Sequence, residues 1–186
     1  LFWFDACMFD QVTLARHLKY ISGHRKDVNS RLTLISAGSF PGFRKFRGLG
    51  ELDASQLASL MPSKTEITEE IVSLGAMAWD SLLSDDPNNI FACSKNRDLK
   101  LKLPFISNAL YRYIEQFPSE TNGLSRLESE ILLSLADHPY STPLKLFSLI
   151  SEMEEPPYFG DTTVWQTLNR MAFCKEPLIR YSADTP

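Results

Sequence analysis

Residues 122–171 read NGLSRLESEILLSLADHPYSTPLKLFSLISEMEEPPYFGDTTVWQTLNRM, and the helix boundaries of this stretch are encoded locally. Asn122 and Gly123 interrupt regular structure ahead of the first apolar run. Ser125 and Glu128 have the S-x-x-E spacing of a capping box, in which each side chain binds one free backbone amide at a helix start. We therefore predict a helix that begins immediately after Ser125.

Two further helix starts follow in the same stretch. Thr142 precedes Pro143, which is an N-cap residue followed by proline at the first helical position. Asp161 offers a third N-cap behind the helix-breaking run at residues 155–160. Three short helices are thus predicted to lead into an extended segment at residues 178–181. This order is typical of a helix-turn-helix or winged-helix module.

The N-terminal part carries a different pattern. Residues 1–4 are continuously apolar, as expected for an inner strand that is buried on both faces. A helix is predicted within residues 6–22, and a second strand at residues 32–36. The apolar face of this helix is expected to consist of Leu14, Ala15, Leu18 and Ile21, which recur at helical spacing. Strand, helix and strand in this order predict a right-handed parallel βαβ unit. Because two strands alone do not make a stable sheet, we expect further strands upstream of Leu1.

Between these parts the sequence predicts a helical body. Its helix starts are marked by N-cap or proline residues: Asp53, Thr68, Asp86 and Pro104. The last of these helices is expected to reach Phe117, with Ile106, Leu110, Tyr113 and Phe117 facing inward. We therefore expect an α+β protein that is mostly helical. It divides into an α/β remnant at residues 1–50, a helical body at 51–117 and a helix-turn-helix-like module at 118–186.

The composition is that of an ordinary folded protein. Among 186 residues, 44% are hydrophobic and 23% are charged, so a sizeable core can be buried. The formal net charge of −4 counts against a protein that covers nucleic acid, because such proteins carry a basic surplus. Three widely spaced cysteines predict reduced thiols in a cytoplasm rather than disulfides or a zinc site. No apolar run is long enough to span a membrane, and no membrane partner is expected.

The first candidate site lies just past the predicted first strand, where Asp5, Asp10 and Gln11 could bind a ligand. Ligands of open α/β sheets bind at the carboxyl ends of the strands. An apolar strand followed by aspartate is also similar to the start of haloacid-dehalogenase-like phosphatases, which need a second acid two residues on to hold magnesium. Here Cys7 stands at that position, and sulfur is a poor magnesium ligand, so no metal site is predicted. The alternative is that Asp5 or Asp10 only caps a helix.

The second half of this candidate site is the glycine-rich loop at residues 38–50. Arg44, Lys45 and Arg47 supply positive charge, and glycines let backbone amides approach an anion. Acidic and basic groups at one sheet edge would suit a ligand that carries phosphate. Neither a dinucleotide-binding nor a Walker pattern is present, and the alternative is a solvated basic turn.

The third candidate is the outer face of the last helix, where Thr163, Gln166, Asn169 and Arg170 could read nucleic-acid bases. Only one of these four residues is basic, and the preceding helix ends with acidic residues that would repel phosphate. A protein-contact face or a purely structural helix is therefore the alternative. No catalytic residues and no cofactor are predicted, since none of the three histidines has a partner nearby in sequence.

The chain resembles a bacterial family of uncharacterised proteins, the domain of unknown function 1835 group. The matching pieces, in order, are Trp3-Phe4 with Asp10-Gln11, Phe46-Arg47-Gly48-Leu49-Gly50 with Leu52, Leu103-Pro104-Phe105 with Ala109-Leu110, Asn122-Gly123-Leu124-Ser125-Arg126 with Glu128, and Phe159-Gly160-Asp161 with Trp165. Family members usually open with W-F-E-H-D, whereas Ala6 and Cys7 replace the histidine and the second acid here. The resemblance implies no established activity and transfers no catalytic residues.

Two functions follow as hypotheses. The first is a non-enzymatic binding or regulatory module that acts through the C-terminal helices on a protein or a nucleic acid. The second is an enzyme that processes a phosphate-bearing or nucleotide ligand at the carboxyl edge of the N-terminal strands.

Overall fold

The structure is a computed structural model that describes residues 1–24, 32–154 and 158–181. The chain forms two compact units: unit 1 is Leu1–Ile114 and unit 2 is Glu115–Pro186. Unit 1 contains the segment 1–50 and nearly all of the segment 51–117. Residues 155–157, at the start of the predicted helix-breaking run, lie outside the described residues.

The architecture is α+β and mostly helical, as predicted. The strands are β1 (Phe2–Asp5), β2 (Thr33–Ala37) and β3 (Thr65–Glu66). The helices of unit 1 are α1 (Met8–His24), α2 (Ala54–Ser59), α3 (Glu69–Leu82), α4 (Pro87–Ser94), α5 (Arg97–Lys102) and α6 (Pro104–Ile114). Unit 2 contains α7 (Arg126–Asp137), α8 (Pro143–Met153) and α9 (Asp161–Phe173). None of the described helices is long and apolar enough to cross a lipid bilayer.

The predicted parallel pairing of two strands joined by a helix is confirmed. β1 and β2 pair in parallel with α1 between them, and Asp5 lies opposite Ala37 in the register. β3, which was not predicted, adds two residues antiparallel to β2. The placement of the first strand inside the sheet was wrong for the described residues, because β1 pairs with β2 alone. Phe2 and Phe4 are consequently only partly buried, although both pack against the core.

The core of unit 1 forms where α1 crosses α3. Leu14, Ala15 and Leu18 of α1 are fully buried, as the helical spacing predicted. Gly75 of α3 faces Leu18 at this crossing. A Cβ atom at Gly75 would lie only 2.3 Å from Leu18 Cδ1 and 2.5 Å from Leu18 Cβ. Glycine is therefore required for these two helices to approach this closely.

The helix starts in the body agree with the capping signals, but the last helix is shorter than expected. Asp53, Thr68 and Asp86 are N-caps, and Asp53 forms a full capping box with Gln56. The predicted extension to Phe117 was wrong: α6 ends at Ile114, and Phe117 is 41% exposed rather than inward-facing. The six-residue helix α5 was missed, because so short a segment shows hardly two turns of periodicity.

Unit 2 is a group of three helices with its own core. Ser125 and Glu128 form the predicted capping box, and Thr142 caps α8. The third cap is displaced by one residue: Gly160 is the N-cap of α9, and Asp161 is the first helical residue, whose carboxylate accepts from Thr162 N–H. The buried apolar side chains of this core are Leu127, Ile131, Leu146, Ile150, Val164, Leu168 and Met171. Residues 178–181 form no strand, so unit 2 has no β-wing among its described residues.

Arg126 interacts with carboxylates from three segments of unit 2: the chain before α7, α7 itself and the end of α8. The Arg126 side chain donates to Glu115 and to Glu130 at 2.7 Å each, and lies 3.7 Å from the buried carboxylate of Glu154. Its backbone N–H also donates to the Glu115 carbonyl oxygen. Burial acts to lower the pKa of Arg126, but the hydrogen bonds to Glu130 and Glu115 outweigh it and raise the pKa above its ordinary value. Arg126 therefore stays charged and holds the start of α7 against the end of α8.

We expect Gly75→Ala to destabilise unit 1. Overpacking costs about 1–3 kcal/mol, and the better helix propensity of alanine returns about 1 kcal/mol of this. The net loss can be measured by urea unfolding in a Trp165→Phe background, where fluorescence comes from Trp3 and Trp79 of unit 1.

Gly23→Ala is the matched control for this substitution. Gly23 also lies in a helix, and nothing lies within 4 Å of the Cβ atom that the substitution adds. We expect this variant to be as stable as the wild type or slightly more stable. Equal stability of the two variants would contradict the proposed close approach of α1 and α3.

We expect Arg126→Ala to destabilise unit 2 by roughly 2–4 kcal/mol, because it removes hydrogen bonds between charged groups in a partly buried setting. Arg170→Ala is the control, since Arg170 is a solvent-exposed arginine that pairs with Glu128. Loss of such a pair changes stability by about 1 kcal/mol or less. Thermal unfolding of the two variants in a Trp3→Phe, Trp79→Phe background, where fluorescence comes from Trp165 alone, would compare them, and similar effects would argue against a central role of Arg126.

Candidate functional site

The predicted N-terminal site lies at one edge of the sheet. Because β1 and β2 run parallel, Asp5 and Ala37 end their strands at the same edge. Ala6 N–H donates to the Ala37 carbonyl oxygen at 3.1 Å, which continues the pairing into the loops. The start of α1 and the loop at residues 38–50 therefore begin side by side.

The Asp5 carboxylate is bound by the backbone of that loop. Its Oδ1 accepts from Leu49 N–H at 2.6 Å, at the start of a short 3-10 helix, Leu49–Glu51. Gly48 lies against the same carboxylate: its φ is +150°, and a Cβ atom there would lie 2.6 Å from Asp5 Oδ2. Both the backbone conformation and the close approach require glycine at this position. Asp5 thus fixes the end of the loop rather than capping its own helix.

Asp10 and Gln11 complete this corner from the first turns of α1. Asp10 Oδ2 accepts from Asp5 N–H at 2.6 Å. Gln11, which is 2% exposed, donates from Nε2 to the Asp5 carbonyl oxygen at 2.5 Å and to Ser36 Oγ at 3.2 Å. The structure therefore brings Asp5, Asp10 and Gln11 together, and their hydrogen bonds join α1 to both parallel strands.

The basic loop has a core of its own. Phe40, Phe43 and Phe46 contact one another with ring centroids 5.8–6.4 Å apart, and Phe46 is buried. The three candidate cations are interleaved with this cluster: Arg44 and Arg47 are exposed, and Lys45 is half-buried. The aromatic cluster therefore packs the inside of the loop, and the cationic residues Arg44, Lys45 and Arg47 are held beside it.

Two backbone amides of the loop are already bound by carboxylates of the chain. Arg47 N–H donates to Glu51 Oε2 at 2.8 Å, and Leu49 N–H donates to Asp5. Within the described residues, no ion pair joins Asp5 or Asp10 to Arg47. An external phosphate would compete with these carboxylates for the same amides.

The electrostatics of the corner favour neutral groups. Burial raises the pKa of Asp5; the hydrogen bond from Leu49 opposes this, and the charges of Asp10 and Glu51 add to it. Burial likewise raises the pKa of the Cys7 thiol, helped by the charges of Asp10 and Asp5. A protonated thiol is a weak nucleophile, so this cysteine is poorly suited to covalent chemistry. Among the described residues, no group of histidine, cysteine or acidic side chains could hold a metal ion.

The third candidate, the outer face of α9, is partly engaged by neighbouring residues. Arg170 donates to Glu128 at 3.0 Å, and Asn169 Oδ1 accepts from the Tyr181 hydroxyl at 3.1 Å. Thr163 is half-buried, and Gln166 is exposed. Two of the four proposed base-reading side chains therefore already have partners within unit 2.

The residues that sequence reasoning missed are those whose partners are distant in the chain. Gly48 counted only as one of several loop glycines, because its contact with Asp5 spans more than forty residues. Nothing in the sequence around Ser36 predicts a role in this site. Its role depends on the hydrogen bond that its hydroxyl accepts from Gln11, which lies in another element.

No protein family model, curated protein or solved structure matches this chain.

We expect Asp5→Asn to be more stable than the wild type near neutral pH. The pKa of Asp5 is raised in the folded state above its ordinary value of 3.8, so ionisation of Asp5 costs stability as the pH rises through the folded-state pKa. Asparagine keeps an acceptor for Leu49 N–H but cannot ionise. The advantage should disappear below pH 3.8, where Asp5 is protonated in both the folded and the unfolded state.

Urea midpoints of the wild type and Asp5→Asn, measured across this pH range, would test the expectation. Asp5→Ala is the control, because it lacks the acceptor for Leu49 N–H and should be destabilised at every pH. A wild type that gains stability relative to Asp5→Asn as the pH rises would show that the charge of Asp5 stabilises the fold.

Proposed function

We propose that the chain is a non-enzymatic binding module that acts through unit 2, and that its partner is a protein. The charge of unit 2 carries this proposal: residues 115–186 contain eleven aspartate and glutamate residues against five lysine and arginine residues. A strongly acidic unit repels the phosphates of nucleic acid and attracts a basic protein surface.

Exposed apolar side chains on the same unit support a protein partner. Leu133 is 61% exposed, Leu144 is 70% exposed and Phe173 is 77% exposed. Tyr140 is 93% exposed and has a φ of 64°, a left-handed conformation that costs about 1 kcal/mol or more for a non-glycine residue. Tyrosine is enriched among the residues that dominate binding at protein interfaces, and exposed leucine and phenylalanine side chains add apolar surface around such a residue.

A nucleic-acid partner has weaker support. Arg170 is the one basic residue on the predicted reading face of α9, and its side chain pairs with Glu128. Binding to DNA depends mainly on cations that neutralise phosphates, so a face with a single, already paired arginine offers little affinity.

The enzyme alternative, a phosphate-ligand or nucleotide-processing site at the carboxyl edge of β1 and β2, stays a prediction. Arg44 and Arg47 would supply positive charge for it. The hydrogen bonds of Asp5 and Asp10 to backbone amides account for these two acids structurally, which gives the alternative less support than the binding module.

We also propose a family and a cellular location for the protein. The ordered motifs quoted above support a place in the bacterial family of unknown function, and a bacterial cytoplasm would be the corresponding location. We also propose that unit 2 is related to helix-turn-helix modules, which is supported by its three consecutive helices, two of which begin at a side-chain cap.

A titration can separate the two kinds of partner. Labelled DNA and RNA should show no binding at low salt, and a labelled amphipathic peptide rich in lysine and leucine should bind more weakly as salt is raised. A lysine-rich peptide of equal charge without leucine should bind less, because it cannot fill apolar contacts on unit 2.

Substitution of an exposed leucine gives the matched control. Leu144→Ser in unit 2 should weaken binding of the lysine- and leucine-rich peptide several-fold, at roughly 1 kcal/mol for a lost interface side chain. Leu101→Ser, at a leucine that is 75% exposed in unit 1, should leave binding unchanged. Tight nucleic-acid binding with a steep salt dependence would overturn the proposal.

A further inference from the structure

Two helices of unit 1 face each other across a cleft. The residues of α3 that line it are Met77, Asp80, Ser81 and, just past the helix end, Ser84. On the opposite side they are Asn89, Ala92 and Cys93 of α4, with Asn96 just beyond its end. The three helical residues of each set follow the spacing i, i+3, i+4 and therefore lie as a stripe on one face of their helix.

The composition of these stripes is unusual for a helix pair. Facing stripes normally carry large apolar residues that close the interface, as Ile71 and Val72 of α3 do on the side that packs into the core. Here most of the lining residues are small or polar, and they leave a cleft of about 500 Å³. This volume lies within the range of roughly 300–1,000 Å³ found for small-molecule sites.

Three lining side chains have hydrogen-bonding atoms that no described residue uses. Asp80 Oδ2 accepts from Lys19 Nζ at 2.7 Å, which leaves Oδ1. Asn89 Nδ2 donates to Ser84 Oγ at 2.7 Å, which leaves its carbonyl oxygen. Asn96 Oδ1 accepts from Leu99 N–H at 2.9 Å as the N-cap of α5, which leaves its amide nitrogen. The cleft therefore offers two acceptors and one donor, each on a side chain whose other end is fixed.

The thiol in the lining of the cleft is poorly suited to covalent chemistry. Cys93 lies in this lining and is 6% exposed, and burial raises the pKa of its thiol. A neutral thiol is a weak nucleophile. The charge of Asp80 is partly balanced by Lys19, and a carboxylate in the lining disfavours a phosphate-bearing ligand.

We propose that this cleft binds a small, uncharged polyhydroxylated molecule of the monosaccharide class. Asp80 Oδ1 and the Asn89 carbonyl oxygen accept hydrogen bonds from hydroxyl groups, and the Asn96 amide donates to a hydroxyl oxygen. Met77 and Ala92 offer apolar contacts to the C–H face of a sugar ring. The site is separate from the proposed function of unit 2, and neither depends on the other.

Nuclear magnetic resonance of the ¹⁵N-labelled full chain tests the proposal directly. The side-chain amide groups of Asn89 and Asn96 give their own signals, and glucose, mannose and ribose serve as probes. We expect saturable shifts of the Asn96 and Asn89 amide signals with at least one of these sugars.

Substitutions that fill the cleft or leave it open provide the controls. Ala92→Leu adds a bulky side chain at an exposed helical position of the lining, so it should preserve the fold and abolish the saturable shifts. Ser73→Leu, at an exposed position of α3 outside the lining, should bind as the wild type does. The backbone spectra of both variants report whether unit 1 remains folded.

Three results would overturn the proposal: no saturable shift with any of the three sugars, equal shifts in a folded Ala92→Leu variant, or saturable binding of putrescine or inorganic phosphate in place of the sugars. Failure of these sugars to bind would leave peptide binding by unit 2 unaffected, so the two proposals can fail independently.

Discussion

The close contact between Gly75 of α3 and Leu18 of α1 is the constraint on which unit 1 depends. Because glycine has no Cβ atom, α1 can lie directly against α3 while its other side supports the parallel strands. In this position the first turns of α1 lie at the sheet edge, where Asp10 and Gln11 form hydrogen bonds with the backbone of Asp5. It also turns the opposite stripe of α3, which includes Asp80 and Ser81, towards α4. One face of α3 therefore packs on α1, while another face lines the cleft beside α4.

The parts of the fold that could be predicted are those encoded by neighbours in sequence. A capping box needs two side chains three residues apart, so Ser125 with Glu128 and Asp53 with Gln56 located helix starts correctly. The buried stripe of α1 was equally readable, since Leu14 and Leu18 lie one turn apart. Helix ends were less certain, because no comparable signal stops α6 at Ile114.

The candidate sites were harder to predict because their geometry depends on contacts between distant residues. The sequence placed Asp5 and the glycine-rich loop at one sheet edge, but not the hydrogen bond from Leu49 that binds the carboxylate. On α9, the predicted outer residues Gln166, Asn169 and Arg170 are exposed but Thr163 is half-buried. The partner of Asn169, Tyr181, lies twelve residues further along the chain. The two-residue strand β3 has no periodicity and exists only through its pairing with β2.

The three free cysteines differ sharply in accessibility, and this has a practical consequence. Cys93 is buried, Cys7 is half-buried with a raised thiol pKa, and Cys174 is exposed just after α9. A maleimide fluorophore should therefore attach first at Cys174, without any engineered cysteine. Unit 2 thus carries a native labelling position close to Phe173, where a dye could report on events at the end of α9.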